Sequence, residues 1–187
     1  PAYGGRETNH MTYIDKTVFY KCQVMNCGTG FSLRTARADN LNAWIDCNFE
    51  GNTVAINLNA HNVPIVINCN FKNNTGTRII EATPSIGLYS CEFSNNTATN
   101  IIKGETVTIE GCNFNDNIPL FETSTTAYIV NSTVTGSVKN MSKGVFVNSN
   151  IQSDSNLNYL LVNRVNSANS ILLDSAPKPY PQLLVTQ

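Results

Sequence analysis

Six cysteines, at positions 22, 27, 47, 69, 91 and 112, are the residues with the most chemistry to offer. A thiol can ligate zinc, pair in a disulfide or attack as a nucleophile, and each role demands a spacing or a partner. The last four are separated by 22, 22 and 21 residues, with no histidine close by, so neither a metal site nor a cofactor is expected. Acid–base chemistry would need two carboxylates, or a basic group beside acidic metal ligands, gathered on one surface. The one dense charge group is Arg34, Arg37 and Asp39, the candidate patch for a lyase or hydrolase, and a solvated turn accounts for the same three residues. His10 and His61 read as loop residues, not bases. Residues Glu81, Lys103, Glu122 and Lys139 alternate in sign and are expected to pair, at about 0.2–1 kcal/mol each. These residue types favour a chain without catalysis over an enzyme.

The cysteine spacing leads to the elements that must hold these residues. Around the thiols one frame recurs: Trp44 to Phe49, Val66 to Phe71, Leu88 to Phe93 and Ile109 to Phe114. It extends back to Phe19–Val24 and forward to Ile129–Val134 and Phe146–Ile151. Each copy carries an apolar residue, a free residue, a turn residue, a small inward residue, a polar residue and an apolar one. The turn position holds Lys21, Asp46, Asn68, Ser90, Gly111, Asn131 and Asn148, mostly types that adopt left-handed backbone or bond their own main chain. Alternation on either side of the turn predicts two short strands joined by a sharp bend, because successive strand residues face opposite ways.

A third apolar site follows the small inward position by about 10 residues, at Phe31, Ile56, Ile80, Ile102 and Phe121. With no helical period, three strands per copy predict an all-β fold, a parallel β-helix (solenoid) of about seven coils of 17–25 residues, over residues 17–155. The crossover rule makes it right-handed. Residues 1–16 read as an N-terminal cap or linker. Residues 156–187, apolar strands punctuated by Pro177, Pro179 and Pro181, read as a C-terminal cap or trimerisation segment. The first residue, Pro1, reads as that of a chain processed or excerpted from something longer.

In this frame Cys22, Cys47, Cys69, Cys91 and Cys112 form a ladder about 4.8 Å apart. Parallel side chains do not converge for bridging, so free structural thiols are expected. Asn52, Asn74, Asn96 and Asn117 form a second candidate ladder, where Cys27 occupies the opening place. Composition fits: Asn, Thr and Ser make up 28, 19 and 14 of the 187 residues, while charged residues are 13% and the net charge is -1. That balance argues against nucleic acid as partner, and no apolar run approaches the roughly 18 residues that membrane insertion as a helix requires.

The repeat region resembles the right-handed parallel β-helix (pectin-lyase-like) superfamily, which includes phage tailspikes and tail-fibre domains. Phe49 to Asn52, Phe71 to Asn74, Phe93 to Asn96 and Phe114 to Asn117 resemble the Phe-x-x-Asn repeats of polymorphic outer-membrane proteins, without their companion Gly-Gly-Ala-Ile motif. The resemblance implies a structural and receptor-binding segment of a virion attachment fibre or tailspike, a cell-surface polysaccharide or glycan as partner, and a homotrimer. Its place would be the virion tail or the extracellular surface. The alternatives it implies are a bacterial surface adhesin of autotransporter-like passenger type, and a polysaccharide lyase or hydrolase.

Overall fold

The computed structural model describes residues 17–35, 42–60, 63–116, 118–123, 125–138 and 140–151. They contain strands and turns and no helix. The first coil is β1 (Val18–Tyr20), β2 (Gln23–Met25) and β3 (Thr29–Thr35); the second is β4 (Ala43–Ile45), β5 (Asn48–Glu50) and β6 (Val54–Ala60). Then come β7 (Ile65–Ile67), β8 (Asn70–Lys72) and β9 (Arg78–Thr83), followed by β10 (Ser85–Tyr89), β11 (Glu92–Ser94) and β12 (Asn100–Lys103). The last are β13 (Thr106–Glu110), β14 (Asn113–Phe114), β15 (Thr125–Val130), β16 (Thr133–Val134), β17 (Met141–Val147) and β18 (Asn150–Ile151).

Every strand pairs in parallel with its counterpart one coil away, which is the defining pattern of a parallel β-solenoid. Face A stacks β1, β4, β7, β10, β13, β15 and β17; face B stacks β2, β5, β8, β11, β14, β16 and β18; face C stacks β3, β6, β9 and β12. Face C gains one further bridge, Ile102 to Phe121. Two faces therefore carry seven rungs while about five turns close on all three sides, fewer than the seven full coils the spacing suggests. The difference arises late in the chain. As the spacing falls to 20 and 17 residues, the coil retains its strands on faces A and B and loses the one on face C.

The core is a set of columns, because register repeats each residue type above its like. Phe49, Phe71, Phe93 and Phe114 stack with ring centroids 4.7, 4.5 and 4.5 Å apart and planes within 15° of parallel. Phe19 and Trp44 stack likewise at 5.3 Å. All four stacked phenylalanines and Trp44 are fully buried. Burial of an aromatic of this size stabilises by roughly 1.5–3 kcal/mol. Core residues of the first coil, Phe19, Cys22, Val24 and Phe31, are only partly buried, since no described rung lies beyond them.

Candidate functional site

The first corner, between faces A and B, is built from left-handed residues. Lys21, Asp46, Asn68, Ser90, Asn131 and Asn148 have φ between 46° and 55°, and Gly111 has 63°. Each bend redirects the chain, so the next residue's N–H can no longer meet a main-chain carbonyl on the adjacent rung. The next rung's side chain takes that proton instead. Cys47 N–H donates to Cys69 Sγ at 3.3 Å, Cys91 N–H to Cys112 Sγ at 3.4 Å, Cys112 N–H to Ser132 Oγ at 3.0 Å, and Ser132 N–H to Ser149 Oγ at 3.2 Å. The same side chains donate to the carbonyl two residues earlier, for example Cys69 to Ile67 at 3.2 Å and Ser132 to Val130 at 2.7 Å. The position thus requires a small group that both accepts and donates, which is why serine replaces cysteine in the later coils.

All six cysteines are free. Cys47, Cys69, Cys91 and Cys112 are buried, while Cys22 and Cys27 on the first coil are not. Burial pushes the Cys91 thiol well above the ordinary cysteine range, and the neighbouring Cys69 thiol, with burial added, pushes Cys47 up as well. Their neighbours shift the other way: hydrogen bonds from Cys47 and Cys91 hold the Cys69 thiol down, and the one from Cys91 holds Cys112 down, so the shifts alternate along the hydrogen-bonded column.

At the second corner, between faces B and C, a left-handed residue again precedes a ladder residue: Asn26, Gly51, Asn73 and Asn95 have φ between 54° and 67°. Here the acceptor is an amide. Cys27 N–H donates to Asn52 Oδ1, Asn52 N–H to Asn74 Oδ1, Asn74 N–H to Asn96 Oδ1, and Asn96 N–H to Asp116 Oδ1, all between 2.9 and 3.0 Å. Each amide nitrogen reaches back to a carbonyl of the preceding rung: Asn52 to Val24, Asn74 to Phe49 and Asn96 to Phe71. The ladder is internal, with Asn52 and Asn74 fully buried and Asn96 at 5% exposure. Its fourth member is Asp116, not Asn117, because that coil reaches the corner one residue sooner. Asn117 itself lies outside the described residues.

The three outward faces differ sharply. Face C carries an ion network: Arg78 Nε contacts Glu81 at 3.1 Å, Arg78 Nη1 contacts Glu122 at 2.9 Å, and Lys103 Nζ contacts Glu81 at 3.0 Å. Two cations balance two carboxylates, so the cluster is neutral and its acids are fully engaged. Sequence reasoning found the alternating signs but missed Arg78 as the hub, because that residue enters from two positions before the third apolar site. Lys139 lies outside the described residues.

Face B presents Gln23, Asn48, Asn70, Glu92, Asn113, Thr133 and Asn150 in register. Gln23, Asn70, Glu92, Asn113 and Asn150 are exposed. Unlike the inner asparagines, Gln23, Asn48, Asn70, Asn113 and Asn150 make no side-chain hydrogen bond among the described residues. Bonds that do form at the surface link the flanking turns: Asn68 Nδ2 donates to Asp46 Oδ1 at 2.7 Å, and Asn73 Nδ2 to Glu50 Oε1 at 3.0 Å. Face B thus presents a column of solvent-facing amides, broken by Glu92 and Thr133, beside a second column of Met25, Glu50, Lys72 and Ser94.

Face A is mixed. One outward column runs Tyr20, Ile45, Ile67, Tyr89, Glu110, Val130 and Val147; a second runs Val18, Ala43, Ile65, Gly87, Thr108, Tyr128 and Val145, of which Ala43, Ile65 and Gly87 are buried; a third, on the longer strands, runs Ser85, Thr106 and Thr126.

Of the candidate catalytic patch, Arg34 lies in β3 opposite Asn59, and Arg37 and Asp39 lie outside the described residues, as do His10 and His61. Asp46 and Glu110 sit in separate rungs, and Asp46 is engaged by Asn68. No group of three metal-ligating side chains gathers among the described residues, and no helix there is long and apolar enough to cross a membrane. In comparisons with known proteins, no family model matches the chain, and no curated protein or solved structure is significantly similar to it.

Proposed function

We propose that this chain is the structural and receptor-binding solenoid of a virion attachment fibre or tailspike, and that face B takes up a host surface glycan. One observation carries the reading: the outward amides of face B face solvent without a protein partner among the described residues, while the chemically identical amides inside are hydrogen-bonded along their ladder. An amide offers two donors and a carbonyl acceptor, the complement of sugar hydroxyls. A column of them on rungs about 4.8 Å apart, with Glu92 and Thr133 among them, suits a hydroxyl-rich polymer. The engaged carboxylates of face C support a binding role over hydrolysis. The Phe-x-x-Asn repeat has a sufficient cause in ring stacking and the inner ladder, so it does not favour a surface adhesin. In this reading the fibre is a homotrimer at the virion tail.

The test is binding of the full chain to a panel of bacterial surface polysaccharides by biolayer interferometry. Removing two amides, Asn70→Ala with Asn113→Ala, deletes hydrogen bonds of about 0.5–1.5 kcal/mol each, which lowers affinity roughly tenfold. The circular dichroism spectrum and thermal midpoint should stay unchanged. Unaltered affinity in the double variant, or the absence of any glycan ligand, refutes the reading. A clean monomer in analytical ultracentrifugation at micromolar concentration refutes the trimer.

A further inference from the structure

Face B carries one charge that no described neighbour offsets. The outward charged residues of the face and its two corners are Lys21, Asp46, Glu50, Lys72 and Glu92. Lys21 and Asp46 occupy the first corner on adjacent rungs, and Glu50 and Lys72 stand opposite each other in register. Both of those acids also accept a hydrogen bond, Asp46 from Asn68 and Glu50 from Asn73. Asp116, at the second corner, is turned inward and engaged by Asn96.

Glu92 differs from all of these. Its register partners are Asn70 and Asn113, the three side chains are exposed, and Glu92 makes no side-chain hydrogen bond or ion pair among the described residues. Lys72 lies one rung away but opposite Ser94, with Glu50 already facing it. On the later rungs the column continues through Asn113, Thr133 and Asn150 without a charge. Around the first corner the next rung adds Glu110, which is exposed and has the same sign.

The chemistry of the run Asn70, Glu92 and Asn113 follows from its donors and acceptors. An amide both donates and accepts, whereas an ionised carboxylate only accepts. Hydrogen bonds to an ionised acceptor are roughly twice as strong as those between neutral groups. Glu92 is therefore the strongest acceptor in the column. Two hydroxyls of one sugar can donate to its two oxygens, while the amides about 4.8 Å to either side donate to oxygens of the same polymer. A sugar acid reverses the balance. Its carboxylate, brought onto Glu92, sets like charges together with no cation between them, and both lose hydration without a bond in return.

We propose that Glu92 sets the specificity of face B, selecting an uncharged, hydroxyl-rich glycan and excluding polymers that bear carboxylate or phosphate. The inference rests on the glycan reading of face B and narrows it to one substrate class.

The test uses the full chain and one polymer in two forms: a neutral polysaccharide that binds in the panel, and the same preparation with its primary hydroxyls oxidised to carboxylates. The parent chain should bind the neutral form at least about tenfold more tightly, and the gap should narrow as salt is raised from about 0.01 M to about 1 M. Glu92→Gln retains the shape and removes the charge. It should weaken the neutral form roughly fivefold and strengthen the oxidised one, closing most of the gap. Glu105→Gln removes an equal charge from an exposed position between faces C and A and should leave the gap as it was. An acidic polymer as the tightest ligand, no gap in the parent chain, a gap that persists in Glu92→Gln, or one that Glu105→Gln closes equally would overturn the proposal while glycan binding stands. Failure of every polysaccharide to bind, neutral or acidic, is a separate result that overturns the glycan reading and this inference with it.

Discussion

Asn74 sits at the centre of the inner ladder, and its replacement tests whether the corners depend on side-chain acceptors. Its Oδ1 accepts the buried Asn52 N–H at 2.9 Å, and its Nδ2 donates to Phe49 C=O at 3.1 Å and to Asn96 Oδ1 at 2.9 Å. Asn74→Ala strips two buried main-chain groups of their partners at once. Each orphaned group costs about 1–3 kcal/mol, so the loss is roughly 2–6 kcal/mol. Asn74→Asp separates the acceptor from the donor. A carboxylate there retains the bond from Asn52 N–H but turns an acceptor toward Phe49 C=O and Asn96 Oδ1. Its folded pKa is therefore raised above the unfolded value of about 3.9. The variant is most stable, relative to the parent chain, below that pH, where the protonated carboxyl can donate, and it loses stability as pH rises through its folded pKa. At Asp116 the same side chain is tolerated because both its oxygens face donors, Asn96 N–H and Asn96 Nδ2. The assay is urea unfolding followed by circular dichroism, between pH 4 and 8, with Asn70→Ala on face B as the surface control. If Asn74→Ala costs under about 1 kcal/mol, or no more than that control, the ladder does not hold the corner and the reasoning fails.

The thiol column gives two more predictions. Cys112→Ser should be close to neutral in stability because serine already fills this place at Ser132 and Ser149, whereas Cys112→Ala leaves the Cys91 N–H without its acceptor and should cost about 1–3 kcal/mol; equal unfolding midpoints for the two variants would refute this. Stability should also fall at alkaline pH. An unfolded cysteine loses its proton near 8.5 while buried Cys91 retains it, so stability present below about 8.5 declines by up to about 1.4 kcal/mol per pH unit until the folded thiol ionises too. Chemical denaturation from pH 7 to 10 measures the slope, and Cys91→Ser should reduce it, Cys47 supplying the remainder; an unchanged slope would exclude Cys91 as a source.

Legibility varied by column. The stacked phenylalanines and the first-corner bends are readable because each repeats one residue type at a fixed place in the frame. Asn52, Asn74 and Asn96 are visible as a repeat, but their position inside the wall is not, because an asparagine beside a turn reads equally well as surface. The pairs Gly51–Asn52, Asn73–Asn74 and Asn95–Asn96 hold the missing signal, a left-handed residue followed by a ladder residue. Face A was also encoded in the free position before each turn, where Ile45, Ile67, Tyr89, Val130 and Val147 recur. Arg78 gave no sign of its role, since its two carboxylate partners are 3 and 44 residues away.

By itself the sequence determined the repeat, the period, the parallel stacking of like on like, and the small polar requirement at the first corner. These follow from local chemistry repeated in register: strand alternation, left-handed bends and side-chain volume. Only the tertiary structure decided which asparagines are internal, that Asp116 closes their ladder, that the third face closes for about five turns, and that the three outward faces differ in kind. Those outcomes depend on which main-chain groups each bend leaves unpaired and on which side chains the coil brings together from distant positions. A one-dimensional pattern does not carry that information.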